Sequence, residues 1–410
     1  MTMSLGRHRL AAERSVAGIG CLLLLGFGAY WSLRIAYADH LARRSPQYIE
    51  AAIRLTPLRA EYWAQLAELQ DLGGSDGRPA LAVATRLNPN GSQIWIDLAL
   101  QEESAGNFAA AERDLLIAAS VSKQFDPRWS LANYFFRRND PRFWHWVHEA
   151  FSMSYGDRRP LFQLCWNFSA DPSAILSQAI PDDNRILGPY LAFLLGYDRM
   201  AAAQPVARQM LPRATASDVP ILLSFCSRSL VASQPAPALS LWNALADRNL
   251  IAYPRLSPES GIILTNQDFH AEPLAAGFDW KPGACAGVSV SRASGELTIT
   301  LNGRQPENCD LLSQIVPLDP GRRYEINFEY WTSGVRPDSG LSWKLFAANG
   351  TELPTRSPLL SSDVWKPGHV DFTAAAISFA RLALVYRRSP GTVRIDGAIA
   401  IRNLRAGLAP

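Results

Sequence analysis

At 410 residues, 48% of them hydrophobic, the chain is long enough for two or three domains and apolar enough to bury a sizeable core. The formal net charge is only +3 and no basic block stands out, so composition excludes nucleic acid as the expected partner. The five cysteines lie apart, with no CxxC or Cys/His metal spacing, which excludes a zinc or dithiol motif.

Residues 15–33 carry no charge and are dominated by Leu, Gly and Ala. At about 1.5 Å rise per residue the run nearly matches a hydrocarbon core of roughly 30 Å. Arg7, Arg9 and Arg14 precede it, and Tyr30, Trp31 and Tyr37 sit where an interfacial aromatic belt belongs. The expectation is a cytoplasmic tail over 1–14 and a single-pass anchor over 15–37, with the bulk of the chain exported. A cleaved signal peptide is the competing reading, because Ala36-Tyr37-Ala38 has the small-x-small form of a cleavage site. A core helix is disfavoured for a segment apolar on every side.

Residues 39–252 are rich in Ala, Leu, Arg, Gln and Glu at helical spacing. Trp63, Trp95 and Trp129 recur at near-equal intervals of a little over thirty residues. Each is followed by a Leu-Ala pair, and Pro57, Pro89 and Pro127 precede them, as prolines do at helix starts. From Trp95 the chain reads W-x-x-L-A, then Gly106-Asn107-Phe108, then Ala111, Leu115 and Ala118. This resembles the tetratricopeptide repeat, in which small residues let two helices approach, a Gly permits the turn and large residues fill the next repeat. Trp63, Trp95, Gly106, Ala111 and Trp129 are the expected packing positions. The first copy has a longer turn at 73–77, and the third carries Asn139-Asp140-Pro141 in place of the Gly turn. Further helices are expected near 161–168, 187–195, 201–211, 221–231 and 236–250, as divergent hairpins. By analogy with the fold such repeats bind protein, and a rigid spacer is the alternative. His145 and His148 share a helix face but lack a third ligand, so a structural helix is expected there.

Cys165 and Cys226 lie among apolar residues and read as buried thiols. Residues 253–261 read as a linker, and from 262 onward short alternating runs replace helical periodicity. About eight antiparallel strands are expected between 287 and 403, forming a sandwich or jelly roll. Cys285 and Cys309 flank a strand pair. They form a disulfide if this region is outside the cytoplasm, and are two free thiols otherwise.

The opening Asn266-Gln267-Asp268-Phe269 with Asp279-Trp280, the strand 323–331 and the closing Val393-Arg394-Ile395-Asp396-Gly397 resemble carbohydrate-binding modules of the galactose-binding-like jelly-roll type. The resemblance covers most of 262–405 and implies a binding module. On the strand 324–331, alternation puts Tyr324, Ile326, Phe328 and Tyr330 on one face and Glu325, Asn327, Glu329 and Trp331 on the other. An aromatic plate beside hydrogen-bonding groups suits a sugar ring. The expected glycan site is therefore Asn327, Glu329 and Trp331, with Lys344 pointing outward on a neighbouring strand and Arg387 joining the same face. The competing reading has Trp331 capping the sandwich edge and Glu329 merely solvated. No cofactor is expected beyond a possible structural Ca²⁺ at Asp279 and Asp396.

No serine elbow, Walker loop, dinucleotide fingerprint or HExxH is present. The fold class expected is a transmembrane helix, a tetratricopeptide-like α-solenoid and a C-terminal antiparallel β-sandwich over 262–410. The function expected is a non-enzymatic bacterial inner-membrane scaffold or adaptor with its bulk in the periplasm. Its partners would be the membrane, a protein on the repeats and glycan or protein on the sandwich, in exopolysaccharide or envelope polysaccharide handling. A glycoside-active enzyme, and a spacer with a protein-binding sandwich, are the alternatives.

Overall fold

A computed structural model describes the backbone of residues 3–409 and the side chains of residues 21–409. Met1, Thr2 and Pro410 lie outside the described residues, as do the side chains of the expected tail over 1–14. Two compact units result, Met1–Ile180 and Pro181–Pro410.

The first unit holds α1 (Met3–Arg44), α2 (Ile49–Leu55), α3 (Ala60–Leu72), α4 (Arg78–Leu87), α5 (Ser92–Ser104), α6 (Phe108–Val121), α7 (Phe125–Arg137), α8 (Phe143–Met153), α9 (Arg159–Phe168) and the short α10 (Pro172–Ala174). The second holds α11 (Asn184–Gly196), α12 (Met200–Met210), α13 (Val219–Val231) and α14 (Pro235–Asp247), followed by eleven strands. Cys21–Arg44 of α1 is long and apolar enough to cross a membrane, with mean hydropathy 1.4 and almost none of its apolar window buried. Leu22 to Leu25 and Phe27 are exposed, so this is not a core helix.

The repeats are built on one turn. In α3/α4, α5/α6, α7/α8, α11/α12 and α13/α14 the first helix ends on a residue with positive φ: Gly74, Gly106, Asn139, Asp198 and Ser233. The N–H of the next residue bonds five residues back, as Ser75 to Gln70, Asn107 to Glu102, Asp140 to Phe135, Arg199 to Leu194 and Gln234 to Ser229. This is the Schellman motif, which satisfies carbonyls the helix end leaves bare. Two hairpins use Gly, for which the left-handed region carries no Cβ penalty. The others use Asn, Asp and Ser, and Asn and Asp tolerate that region best among residues with a side chain. The hairpins expected beyond Phe151 thus recur without the glycine that marks them.

The tryptophans have a second repeated role. Trp63 Nε1 donates to the Pro57 carbonyl at 2.9 Å and Trp95 Nε1 to Pro89 at 2.8 Å. Each ring ties its helix to the turn before it while packing against the Ala- and Leu-lined core of α3–α5. In the third copy Pro127 lies inside α7, and Trp129 stacks on Phe125 instead. Ala111 is wholly buried, as close approach of α5 and α6 requires.

The strands are β1 (Lys281–Pro282), β2 (Val288–Ala293), β3 (Glu296–Asn302), β4 (Asn308–Pro317), β5 (Arg323–Ser333), β6 (Leu341–Phe346), β7 (Glu352–Leu353), β8 (Thr355–Arg356), β9 (Lys366–Thr373), β10 (Phe379–Arg387) and β11 (Asp396–Leu408). Two antiparallel sheets form, in the orders β1-β4-β10-β6-β7 and β2-β3-β11-β5-β9-β8. The first is called here the front sheet and the second the back sheet. Tyr324, Ile326, Phe328 and Tyr330 of β5 face Leu341, Trp343 and Leu345 of β6 and Leu382, Leu384 and Tyr386 of β10 in one core.

In the second unit the last helical hairpin packs against the segment that leads into the sandwich. Trp242 of α14 is fully buried, stacked on Tyr253 at 5.9 Å and edge-on to Phe278 at 5.8 Å. Gly277 has φ +57, and a Cβ there would lie 2.8 Å from the Trp242 ring. Its N–H donates to Ser227 Oγ at 2.8 Å, and the Asn243 amide pairs with both backbone groups of Leu256. The stretch read as a linker is therefore packed at Tyr253 and Leu256. Truncating a fully buried Trp costs about 3–5 kcal/mol. Trp242→Ala is expected to lower the unfolding midpoint of the sandwich and of helices α13–α14 together, checked by following near- and far-ultraviolet circular dichroism in urea; loss of helix with the sandwich midpoint unmoved would contradict this coupling.

Glu103 of α5 bridges to the third hairpin, accepting from Arg137 at 2.8 and 2.6 Å and from Arg138 at 2.9 Å. Burial pushes this carboxyl up, but the two guanidinium groups outweigh it and hold it below the usual carboxylate range. A folded-state pKa below the unfolded one gives stability that is present above the unfolded pKa of about 4.3 and lost as pH falls through the folded value. Glu103→Gln should therefore cost about 1–3 kcal/mol at neutral pH. The gap between wild type and variant should close as pH falls, measured as paired urea midpoints across the acid range.

Candidate ligand-binding surfaces

Each sheet turns one face to the core and one to solvent, and the expected glycan residues divide between the two outer faces. Asn327, Glu329 and Trp331 lie on the back sheet, as alternation along β5 requires. Lys344 and Arg387 lie on the front sheet, in β6 and β10. The expectation that Arg387 joins the Trp331 face is corrected. Residues 334–340, between β5 and β6, carry the chain from one sheet to the other, and the core lies between the two sets of side chains.

On the back face the groups are engaged with one another. Trp331 Nε1 donates to the Asp363 carbonyl at 2.8 Å, pinning the loop before β9. Glu329 accepts from Arg402 Nε at 2.7 Å and from Asn403 Nδ2 at 3.1 Å, and the Arg402 bond above all holds its carboxyl below the usual range. Arg402 also lies 3.9 Å over the ring of Trp365, covering one side of it. Asn327 Oδ1 meets His369 Nδ1 at 2.8 Å. This surface offers edges and rims more than a free aromatic plate.

The front face forms a groove of about 710 Å³. Its floor is Phe346 and Val385, which pack with the buried Ala383 because β6 and β10 pair in register, Arg381 opposite Phe346 and Val385 opposite Ser342. Phe346 is nearly buried, with Arg381 4.4 Å and Arg387 5.6 Å over its ring. Arg381 pairs with Asp310 across β4. Arg387 and Lys344, the latter at 2.9 Å, share Glu352 of β7. Hydrogen bonds from Lys344 and Arg387 outweigh burial and hold Glu352 below the usual carboxylate range. One wall is the loop 283–285, tied to β4 by the disulfide Cys285–Cys309. Three cations face two carboxylates here, so the surface carries hydrogen-bond donors in excess of acceptors. Sequence reasoning missed Asp310, Phe346, Arg381 and Glu352. Outward alternation on β10 flags Arg381 beside Arg387, but nothing local places β4 and β7 next to them.

Asp279, one of the two expected Ca²⁺ ligands, lies among hydrogen-bond donors. The side chain is fully buried and accepts from Trp280 N–H at 2.7 Å, Tyr253 Oη at 2.9 Å, Thr265 Oγ1 at 3.4 Å and the Leu274 N–H. Its lone pairs are spent on donors, which a cation cannot replace without stranding them. Asp396 stands exposed at the start of β11, opposite Asn302. Among the described residues no three His, Cys, Asp or Glu side chains are grouped to hold a metal. Cys165 and Cys226 are buried thiols, that of Cys226 pushed up to about 12 by burial.

No protein-family profile matches the chain, and no curated protein sequence matches it. Among solved structures it is similar to a CBM4 carbohydrate-binding module at 18% identity, over 35% of this chain and 98% of that one, with TM-score 0.27. It is also similar to YrrB, described as a TPR protein with an unusual peptide-binding site, at 10% identity over 50% and 93% of the two chains, TM-score 0.25. A third similarity is to the APC/C hetero-tetramer Cut9-Hcn1, at 14% identity over 53% and 40%, TM-score 0.28. The architecture of tetratricopeptide-like hairpins followed by a carbohydrate-binding-module-like sandwich rests on the turn geometry, the Trp–Pro hydrogen bonds and the two-sheet topology described above.

Proposed function

We propose that this chain is a non-enzymatic, single-pass adaptor of the bacterial inner membrane, its bulk in the periplasm, whose repeats hold a protein and whose sandwich holds a glycan in exopolysaccharide or envelope polysaccharide handling. The observation that carries the reading is the front groove: open, stiffened by a disulfide, lined by Asp310, Arg381 and Arg387, and flanked by Glu352, which pairs with Arg387 and Lys344. Sugar hydroxyls need donors and acceptors together, and the surplus of cations favours a glycan bearing carboxylates.

The location rests on two observations. A disulfide between Cys285 and Cys309 fits an oxidising compartment. The helix α1 continues unbroken into the first repeat core, where Ala38 is wholly buried with Ala52, Ile53 and Tyr62. Arg34 Nε donates to the Leu55 carbonyl at 2.6 Å, and Asp39 accepts from Arg59 at 2.8 Å and from Tyr62 Oη. The small-x-small site at 36–38 therefore lies inside a packed helix, where a peptidase finds no extended strand, which supports a retained anchor over a cleaved signal.

Two measurements test this. The mature protein recovered from membranes should keep its N-terminal helix, read by intact mass; a mature chain starting at Asp39 would remove the anchor. The full chain in detergent micelles should be retarded in gels containing a uronic-acid polysaccharide more than in gels containing a neutral glucan. Lys344→Ala with Arg387→Ala should weaken that retention about tenfold, roughly 1.4 kcal/mol, and Trp331→Ala should leave it unchanged. Loss through Trp331→Ala alone would move the site to the back face. Indifference to every polysaccharide would leave a spacer with a protein-binding sandwich, and turnover of one would restore the enzyme reading.

A further inference from the structure

The repeats nearest α1 contain a second groove, of about 570 Å³, between α3 and α5, the first helices of successive hairpins. Its floor is apolar, formed by Ala64, Leu81, Ile94 and Leu100, and Leu100 is among the exposed large apolar side chains. Every charged side chain lining it is acidic: Glu61, Glu68 and Asp71 from α3 and Asp97 from α5. The chain as a whole is slightly basic, so this is a local concentration of one sign. The nearby cation Arg59 lies 3.9 Å from Glu61 but is committed to Asp39 at 2.8 Å.

The acidic side chains also act on one another. Burial pushes the Asp97 carboxyl above the usual carboxylate range, and the neighbouring Glu68 charge adds to the effect against a hydrogen bond from Gln93. The groove is thus a strip of acceptors and negative charge over an apolar floor.

We infer that this groove is the protein-binding surface of the repeats and that its occupant is a basic polypeptide segment, with Lys or Arg heads set against Glu68, Asp71 and Asp97 and apolar stems on the floor at Ala64 and Leu100. Long basic side chains suit both parts of the surface, since their methylenes cover apolar area while their heads supply donors. The selectivity follows from sign: an acidic segment would place like charges together across the groove. The inference rests on the reading that the repeats hold protein, and the experiment separates the two.

The full chain in detergent micelles is titrated against three fluorescein-labelled synthetic peptides, one alternating Arg with Leu and Ala, one with Gln in place of each Arg, and one with Glu. Binding is read by fluorescence anisotropy at low and high salt. The Arg peptide is expected to bind, to weaken as salt rises, and to lose about tenfold in affinity in the Glu68→Gln, Asp97→Asn double variant. Ala64→Trp, which fills the floor, is expected to block it. Circular dichroism confirms that each variant keeps its helix content. An Arg-peptide affinity unchanged in the double variant overturns the inference. Binding of the Gln peptide as tightly as the Arg peptide, blocked by Ala64→Trp, also overturns it while leaving the repeats as a protein-binding surface. No binding of any of the three peptides removes both.

Discussion

A helical hairpin can cover only one of its apolar sides with its own second helix, and the other must find a neighbour. The first hairpin here is covered by α1, whose Ala38, Leu41 and Ala42 enter a core with Ile49, Ala52, Ile53 and Tyr62. The last is covered by the start of the β region, where Tyr253, Phe278 and the bare Cα of Gly277 surround Trp242. Neither cover is itself a repeat. Each is an apolar or β element recruited to close an end that a free hairpin would leave wet. The repeats are consequently welded to what precedes and follows them.

The turn inside each hairpin is a matter of one residue. A helix that must reverse within a few residues leaves several carbonyls bare, and a left-handed residue lets its own N–H and that of the next residue reach back to them. Gly74 and Gly106 adopt that conformation without cost, while Asn139, Asp198 and Ser233 are held in it by the hydrogen bonds formed. The same hairpin therefore recurs with different letters at its turn.

The sandwich shows how little a solvent-facing pattern says about chemistry. Both outer faces carry aromatic and charged residues. On the back face Trp331 and Glu329 are spent on the Asp363 carbonyl, Arg402 and Asn403. On the front face three strands contribute to one groove, and the carboxylates in and beside it are distributed among more cations than they can neutralise. Surface ion pairs of this kind contribute little to stability and can be exchanged for ligand contacts, which makes the front groove the more adaptable of the two surfaces.

Much of the architecture was legible locally. The apolar run, the Trp-marked helices, the helices beyond Phe151 and the long strands all follow from spacing, because periods of 3.6 and 2 are set by the backbone itself. Alternation along β5 likewise fixed that Tyr324, Ile326, Phe328 and Tyr330 are core and Asn327, Glu329 and Trp331 are not. What alternation cannot state is which sheet a strand joins. The crossings at 334–340 and 374–378 sent Lys344 and Arg387 to the far side of the core, and sheet order alone set Arg381 beside Asp310 and Glu352 beside Arg387. The turns lacking glycine, the burial of Asp279 among donors and the packing of α14 against the segment that leads into the sandwich are of the same kind. The sequence by itself determined the elements and their inward faces, through local sterics and the solubility of side chains. The tertiary structure decided which outward faces meet, since that depends on contacts between residues tens of positions apart whose pairing no local period encodes.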